Sequence, residues 1–154
     1  MVNETTIENV KDALAVSSTL VESAKNEIVW ILSPAMLVLS FQFSIAKKSK
    51  MLIEKGGRVQ GITRISGTNR DVVRERLDNG EEVRHIDQFR GAFMLVADKK
   101  ESISSINVNT EDLSLDDPVV AFWTDDQAYV DFLIDTFEAE WNEAVDAEKR
   151  LQEL

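Results

Sequence analysis

The sequence holds one histidine, His85, and no cysteine. Thiol nucleophiles, thiolate metal sites and disulfide staples are excluded, and any imidazole-dependent triad or metal centre must be built on that one ring. His85 sits in Glu82-Val83-Arg84-His85-Ile86-Asp87, where strand alternation sets it on the face opposite Arg84 and Ile86. Spacing supplies it with no second ligand or base, so no metal and no cofactor are expected, and a structural or surface histidine is the plainer reading. There is no Walker loop, no GxGxxG, no GxSxG and no HExxH, and Gly56-Gly57 follows a helix instead of opening one, the wrong context for cradling phosphate. What remains is a set of polar residues near predicted strand ends: Ser33, Arg64, Ser66, Thr68 and Arg90. Open α/β sheets bind ligands at the carboxyl ends of their strands, and guanidinium groups make paired hydrogen bonds to carboxylate or phosphate. The expected ligand is a small anion; the plainer alternative is that both arginines are ordinary surface residues.

The elements that would position these residues follow from hydrophobic period. Residues 5–26 carry Ile7, Val10, Leu14, Leu20, Val21 and Ala24 at helical spacing, and the pattern predicts a helix, with a break near Ser17 and Ser18. Glu27 to Leu32 is a short apolar run ended by Ser33-Pro34, as expected of a strand buried on both faces. Ser40 to Lys55 is helical up to Gly56-Gly57, and Arg58 to Ile65 is the next strand, which completes a βαβ unit. A short helix over 70–77, strands over 81–86, 92–97 and 102–107, an acidic loop over 111–118 and a last strand over 119–123 follow. The expected fold is α/β: a mixed, mostly parallel sheet with helices on both faces and a long C-terminal helix. At 154 residues and 44% hydrophobic content one domain is expected over 1–154, with an N-terminal helix 5–26, a core 27–125 and a C-terminal helix 126–154.

The formal charge of -11 is concentrated: residues 1–110 carry 15 basic and 14 acidic side chains, residues 111–154 only 2 basic and 14 acidic. Such a tail repels phosphate backbones and anionic headgroups, and the expectation is no nucleic-acid and no membrane partner. The longest apolar stretch, 28–45, is interrupted by Ser33, Pro34, Ser40, Gln42 and Ser44 and makes a poor bilayer span. Lack of cysteine and of a signal peptide suits the cytoplasm.

The stretch Ala24-Lys25-Asn26-Glu27-Ile28-Val29-Trp30-Ile31-Leu32-Ser33-Pro34, the run Ile53-Glu54-Lys55-Gly56-Gly57-Arg58-Val59, and Phe137 with Trp141 resemble one repeat of the phospholipase D superfamily over roughly residues 20–145. Val96-Ala97-Asp98-Lys99-Lys100 and Phe137-Glu138-Ala139-Glu140-Trp141 are similar to segments of the phospholipase-D-like regulatory domains attached to archaeal histidine kinases and transcriptional regulators. The superfamily signature is His-x-Lys, four residues, then Asp, with a Ser pair and an Asn downstream. Setting its aspartate on Asp98 puts Gly91 at the histidine and Phe93 at the lysine, while Ser104-Ser105 and Asn107 still match. Transfer through an imidazole nucleophile with a cation on the phosphoryl group is therefore not expected, and no enzyme is expected. The resemblance adds Asp98, Ser105 and Asn107 to the candidate ligand-binding set.

On the last helix Ile134, Phe137, Trp141 and Ala144 recur at steps of three and four and, past an interruption at Glu148, Leu151 carries the stripe beyond the point where a core should be satisfied. By analogy with kinase-attached relatives, this stripe is the candidate output and dimer seam, and a homodimer with a kinase or transcription-regulator partner is expected. The leading expectation is thus a non-catalytic sensory or regulatory domain that binds a small ligand or a protein partner. The alternatives are a phospholipase-D-superfamily hydrolase or nuclease of altered active site, and a structural adaptor.

Overall fold

Apolar runs too short to make helices become the strands at the centre of the structure. The computed structural model describes residues 2–89, 93–106 and 111–154. In chain order the elements are β1 (Glu4–Asn9), α1 (Val10–Ser23), β2 (Glu27–Ile31), α2 (Pro34–Leu39), a 3-10 turn at Ser40–Phe43, α3 (Ile45–Glu54), β3 (Arg58–Thr63), α4 (Arg70–Asp78), β4 (Glu82–His85), β5 (Phe93–Ala97), β6 (Glu101–Ser105), β7 (Pro118–Thr124), α5 (Gln127–Glu143), β8 (Val145–Asp146) and α6 (Ala147–Gln152).

The strands form one eight-stranded mixed sheet in the order β1-β7-β6-β5-β2-β3-β4-β8. Parallel pairing is confined to β2-β3, the βαβ unit that the sequence pattern predicts, and β3-β4; the other five pairings are antiparallel, so the sheet is mixed without being mostly parallel. Hairpins account for part of the difference, because β5 and β6 are joined by a tight turn in which Asp98 and Lys99 both have positive φ, 54° and 59°. That backbone suits the right-handed twist of the flanking strands.

Alternate residues of β2 feed two cores. Ile28 and Trp30 face α1, α3 and α4, whereas Ile31 joins Ile62, Met94 and Val96 under Val130, Leu133 and Phe137 of α5. Each of these α5 side chains is essentially removed from water, a contribution of about 1.5–3 kcal/mol apiece. Trp30 lies beside Gly61 of β3 in the parallel register, and a Cβ at 61 would overlap the indole ring. Glycine is thus what admits a tryptophan to this part of the core.

Both ends of the chain depart from expectation. The predicted helix 5–26 begins only at Val10; the preceding six residues form edge strand β1, whose register shifts between Ile7 and Asn9. Helical spacing in 5–10 rested on Ile7 and Val10 alone, and pairing with β7 overrides it. Asn9 caps the helix, its side chain accepting the Asp12 N–H at 2.8 Å. At the other end, α5 stops at Glu143, Ala144 is extended, and Val145–Asp146 pair antiparallel with Arg84 and His85 before α6 begins. There is no continuous helix over 126–154. The stripe read as a dimer seam is divided between two cores: Phe137 packs on one face of the sheet and Leu151, 9% exposed, on the other. Among the described residues no helix is long and apolar enough to cross a membrane.

Candidate anion site at the carboxyl margin

The register of the sheet sorts the candidate residues to two opposite margins. Ser33, Arg64 and His85 follow or end the three parallel strands, and Ser105, paired with Phe93, lies at the same margin. Asp98 does not. It sits beside Glu27, at the amino end of β2, whereas His85 pairs with Thr63 beyond the carboxyl end. At about 3.3 Å per residue the two are roughly 16 Å apart along the strands alone.

Asp98 is fully engaged where it is. Its Oδ2 accepts the Lys25 N–H at 2.9 Å and its Oδ1 accepts the N–H groups of Asn26 and Glu27 at 2.8 and 2.9 Å. Partial burial alone would raise this carboxyl; the three backbone donors and the Lys100 charge outweigh it and hold it below the ordinary aspartate range. The aspartate of the signature here clamps the start of β2 to the β5–β6 turn, and its expected part in ligand binding is withdrawn on that geometry.

His85 is 4% exposed. Its Nδ1 accepts the backbone N–H of Ile65 at 2.9 Å, so the ring proton belongs on Nε2, which faces the Asp87 carboxylate at 2.8 Å. Asp87 is held below its usual range, first by that hydrogen bond and then by its electrostatic interaction with His85. With both nitrogens taken, the ring ties β4 to the segment after β3. The neighbouring cleft, about 460 Å³, is lined by His85, Ile86, Asp87, Gln88, Glu140, Glu143 and Val145. Three carboxylates in seven lining residues make it unsuited to an anion.

Arg64 has the surroundings an anion site needs. Its Nη2 donates to Glu111 Oε1 at 3.0 Å, while Ser66 Oγ and Thr68 Oγ1 donate to Glu111 Oε2 at 3.1 and 2.7 Å. The Thr68 hydrogen bond is the largest influence holding the Glu111 carboxyl below its usual range; the slight burial opposes it, and Ser66 and Arg64 reinforce it. The loop is held from beneath by Asn69, 0% exposed, whose Oδ1 accepts the Ser66 N–H at 3.0 Å and whose Nδ2 donates to Thr63 Oγ1 and to the Arg64 carbonyl. That use leaves α4 without a side-chain N-cap.

The other candidates have plainer roles. Ser33 is buried and caps α2, its Oγ accepting the Met36 N–H at 3.2 Å. Ser105 is buried between its β5 and β7 partners, and Phe93 is buried with its ring edge-on to Phe89 at 4.8 Å. Arg90, Gly91 and Asn107 lie outside the described residues. Trp141 stacks on Phe137 and carries the Arg84 guanidinium over its ring at 4.2 Å, while Ile134 packs at the edge of the α5 core. Among the described residues no cluster of three or more His, Asp or Glu side chains could hold a metal ion. Sequence reasoning missed Glu111 and Asn69, since an acid opening an acidic stretch and an asparagine before a helix carry no mark of a partner up to 47 residues away.

Solved structures share this architecture. The archaeal chromatin protein TrmBL2, described as showing a novel mode of DNA binding, matches with a TM-score of 0.72 at 17% identity, over 94% of this chain and 54% of that one, so the chain spans about half of TrmBL2. Nuc from Salmonella typhimurium, a phospholipase D family member, matches with a TM-score of 0.75 at 12% identity over 95% of this chain and 98% of its own. NucT from Helicobacter pylori matches at 0.72 and 13% over 95% and 99%. No protein-family model and no curated protein matches the sequence. Two expectations are overturned. That the chain is no enzyme does not stand against its likeness to Nuc and NucT: exchanging two residues of a signature removes one chemical route, and the fold is one that a phospholipase D family member carries. That it has no nucleic-acid partner does not stand against its likeness to a DNA-binding protein, because net charge governs long-range attraction and here sits almost wholly in residues 111–154, leaving the first 110 balanced. At 12–17% identity, what the chain has in common with these three proteins is the phospholipase-D-like fold.

Proposed function

We propose that this chain is a regulatory domain of a nucleic-acid-directed protein, taking a small anionic ligand at the carboxyl margin of its parallel strands. One observation carries the reading: Arg64, Ser66 and Thr68 converge on a carboxylate, that of Glu111, on a loop fixed by a buried asparagine. The likeness to TrmBL2 supports the nucleic-acid setting, and the resemblance of 137–141 to regulator-attached domains supports the regulatory one. Absence of cysteine from the sequence is in keeping with the cytoplasm. Thermal-shift titration with acetate, citrate, inorganic phosphate and adenosine 5′-monophosphate at constant ionic strength tests it. A ligand at 100 times its Kd stabilises by about 2.7 kcal/mol, and Arg64→Met should abolish the shift. If none of the four raises the melting temperature of either the wild type or a Glu111→Ala variant, the reading fails.

A second reading, a phospholipase-D-superfamily hydrolase of altered active site, has the likeness to Nuc in its favour. A version that couples His85 to Asp98 conflicts with their positions at opposite margins. Turnover of bis(p-nitrophenyl) phosphate that co-purifies with the protein through two chromatographic steps would make this the better reading.

A further inference from the structure

We infer that Glu111 is a tethered stand-in for a phosphate monoester, and that the Arg64, Ser66 and Thr68 cradle is a phosphate site held shut by the chain's own carboxylate. The inference rests on the anion-binding reading above and specifies its ligand and its regulation.

The arrangement has the donors of such a site in place. A guanidinium and two hydroxyls point at one carboxylate, at 2.7–3.1 Å, from three positions within five residues. None of the three comes from the same element as Glu111, which lies 43 residues or more along the chain. The Ser66 hydroxyl is itself oriented, since its Oγ accepts the Thr68 N–H at 3.2 Å. The cradle immediately precedes α4 in the chain, a nine-residue helix with no side-chain cap. Asn69, which would ordinarily supply that cap, is buried and spends its side chain on holding Ser66, Thr63 and Arg64 in position. Gly67, between Ser66 and Thr68, has no neighbour within 4 Å of a notional Cβ.

Phosphate fits this set better than carboxylate does. Glu111 offers two oxygens to three side-chain donors, and Oε2 is shared by two of them. A phosphate monoester brings three terminal oxygens and close to two negative charges, so each donor can have its own acceptor and the guanidinium meets the greater charge. Glu111 is 41% exposed, so it can leave for solvent without opening the core. A tethered competitor reduces the apparent affinity in proportion to the fraction of time it leaves the site free, which makes the resting protein weak-binding and gives the acidic segment the role of a gate.

Calorimetric titration with inorganic phosphate, carried to saturation at fixed ionic strength with acetate as the monoanion control, tests the inference on wild type, Glu111→Ala and Glu111→Ala/Arg64→Met. Circular-dichroism melts confirm that the variants fold. Expected is a gain of about tenfold or more in phosphate affinity in Glu111→Ala, with acetate weaker, and loss of binding in the double variant. Equal phosphate affinity in wild type and Glu111→Ala would overturn the gate while leaving the anion-binding reading intact. Acetate binding more tightly than phosphate would overturn the ligand class. If neither wild type nor Glu111→Ala binds either anion, the inference and the reading beneath it fall together.

Discussion

The imidazole of His85 receives a backbone N–H from Ile65, two residues beyond the end of the neighbouring strand β3, at 2.9 Å. Nitrogen NMR should find a neutral His85 as the Nε2–H tautomer, with Nδ1 showing the coupling of an acceptor. His85→Ala leaves that buried amide without its partner and should cost about 1–3 kcal/mol in urea unfolding. A ring found protonated on Nδ1 at neutral pH would contradict the assignment.

Arg76 and Glu81 form an ion pair in the core, 1% and 0% exposed, with Nη1 to Oε2 at 2.9 Å; Trp30 donates to the same carboxylate and Arg76 Nη2 donates to Ser40 Oγ. Burial pushes the Glu81 carboxyl upward, against which Arg76 and the indole act. Removing one partner strands the other, so Arg76→Met or Glu81→Gln should each cost about 3–5 kcal/mol in urea unfolding, with the double variant less than additive.

Asp98 makes acid sensitivity predictable. Its carboxyl is held below the unfolded value, so its stabilisation is complete above the ordinary aspartate range and disappears as pH falls through the lower folded value. Asp98→Asn should cost about 1.5–3 kcal/mol at pH 7 through loss of charge-assisted hydrogen bonds, and the gap between variant and wild type should close on acidification. A gap that stays constant with pH would refute the clamp.

Gly61→Ala drives a methyl group into the Trp30 indole on the adjacent strand. Overpacking of this kind costs about 1–3 kcal/mol, to be read as a lowered melting temperature.

The parallel unit was legible in the sequence because β2 is a short apolar run closed by Ser33-Pro34 and β3 is opened by Gly56-Gly57, signals that act within a few residues. Less legible were β1 and β8, strands only because β7 and β4 offer free margins. The C-terminal stripe misled for a related reason: Phe137 and Leu151 do keep helical spacing, but Ala144 turns the chain and sends them to opposite faces of the sheet. Of the site, Arg64, Ser66 and Thr68 could be read from their place after a strand, and Asp98 was misplaced because a signature gives order along the chain and not which end of a strand faces the ligand. Glu111 becomes visible only when the fold brings two distant segments together.

The margins of the sheet bear on a different property. An unfinished strand edge is a template on which other molecules can add, and long, flat, apolar edges lead to fibrils. Here one margin is β1, with Glu4 and Glu8 exposed and its register broken after Ile7; the other is β8, two residues long and ending in an aspartate. Neither offers an incoming strand a long regular ladder, and both carry negative charge. The protein should therefore tolerate high concentration without polymerising through its sheet, a safeguard that resides in the two strands least visible in the sequence.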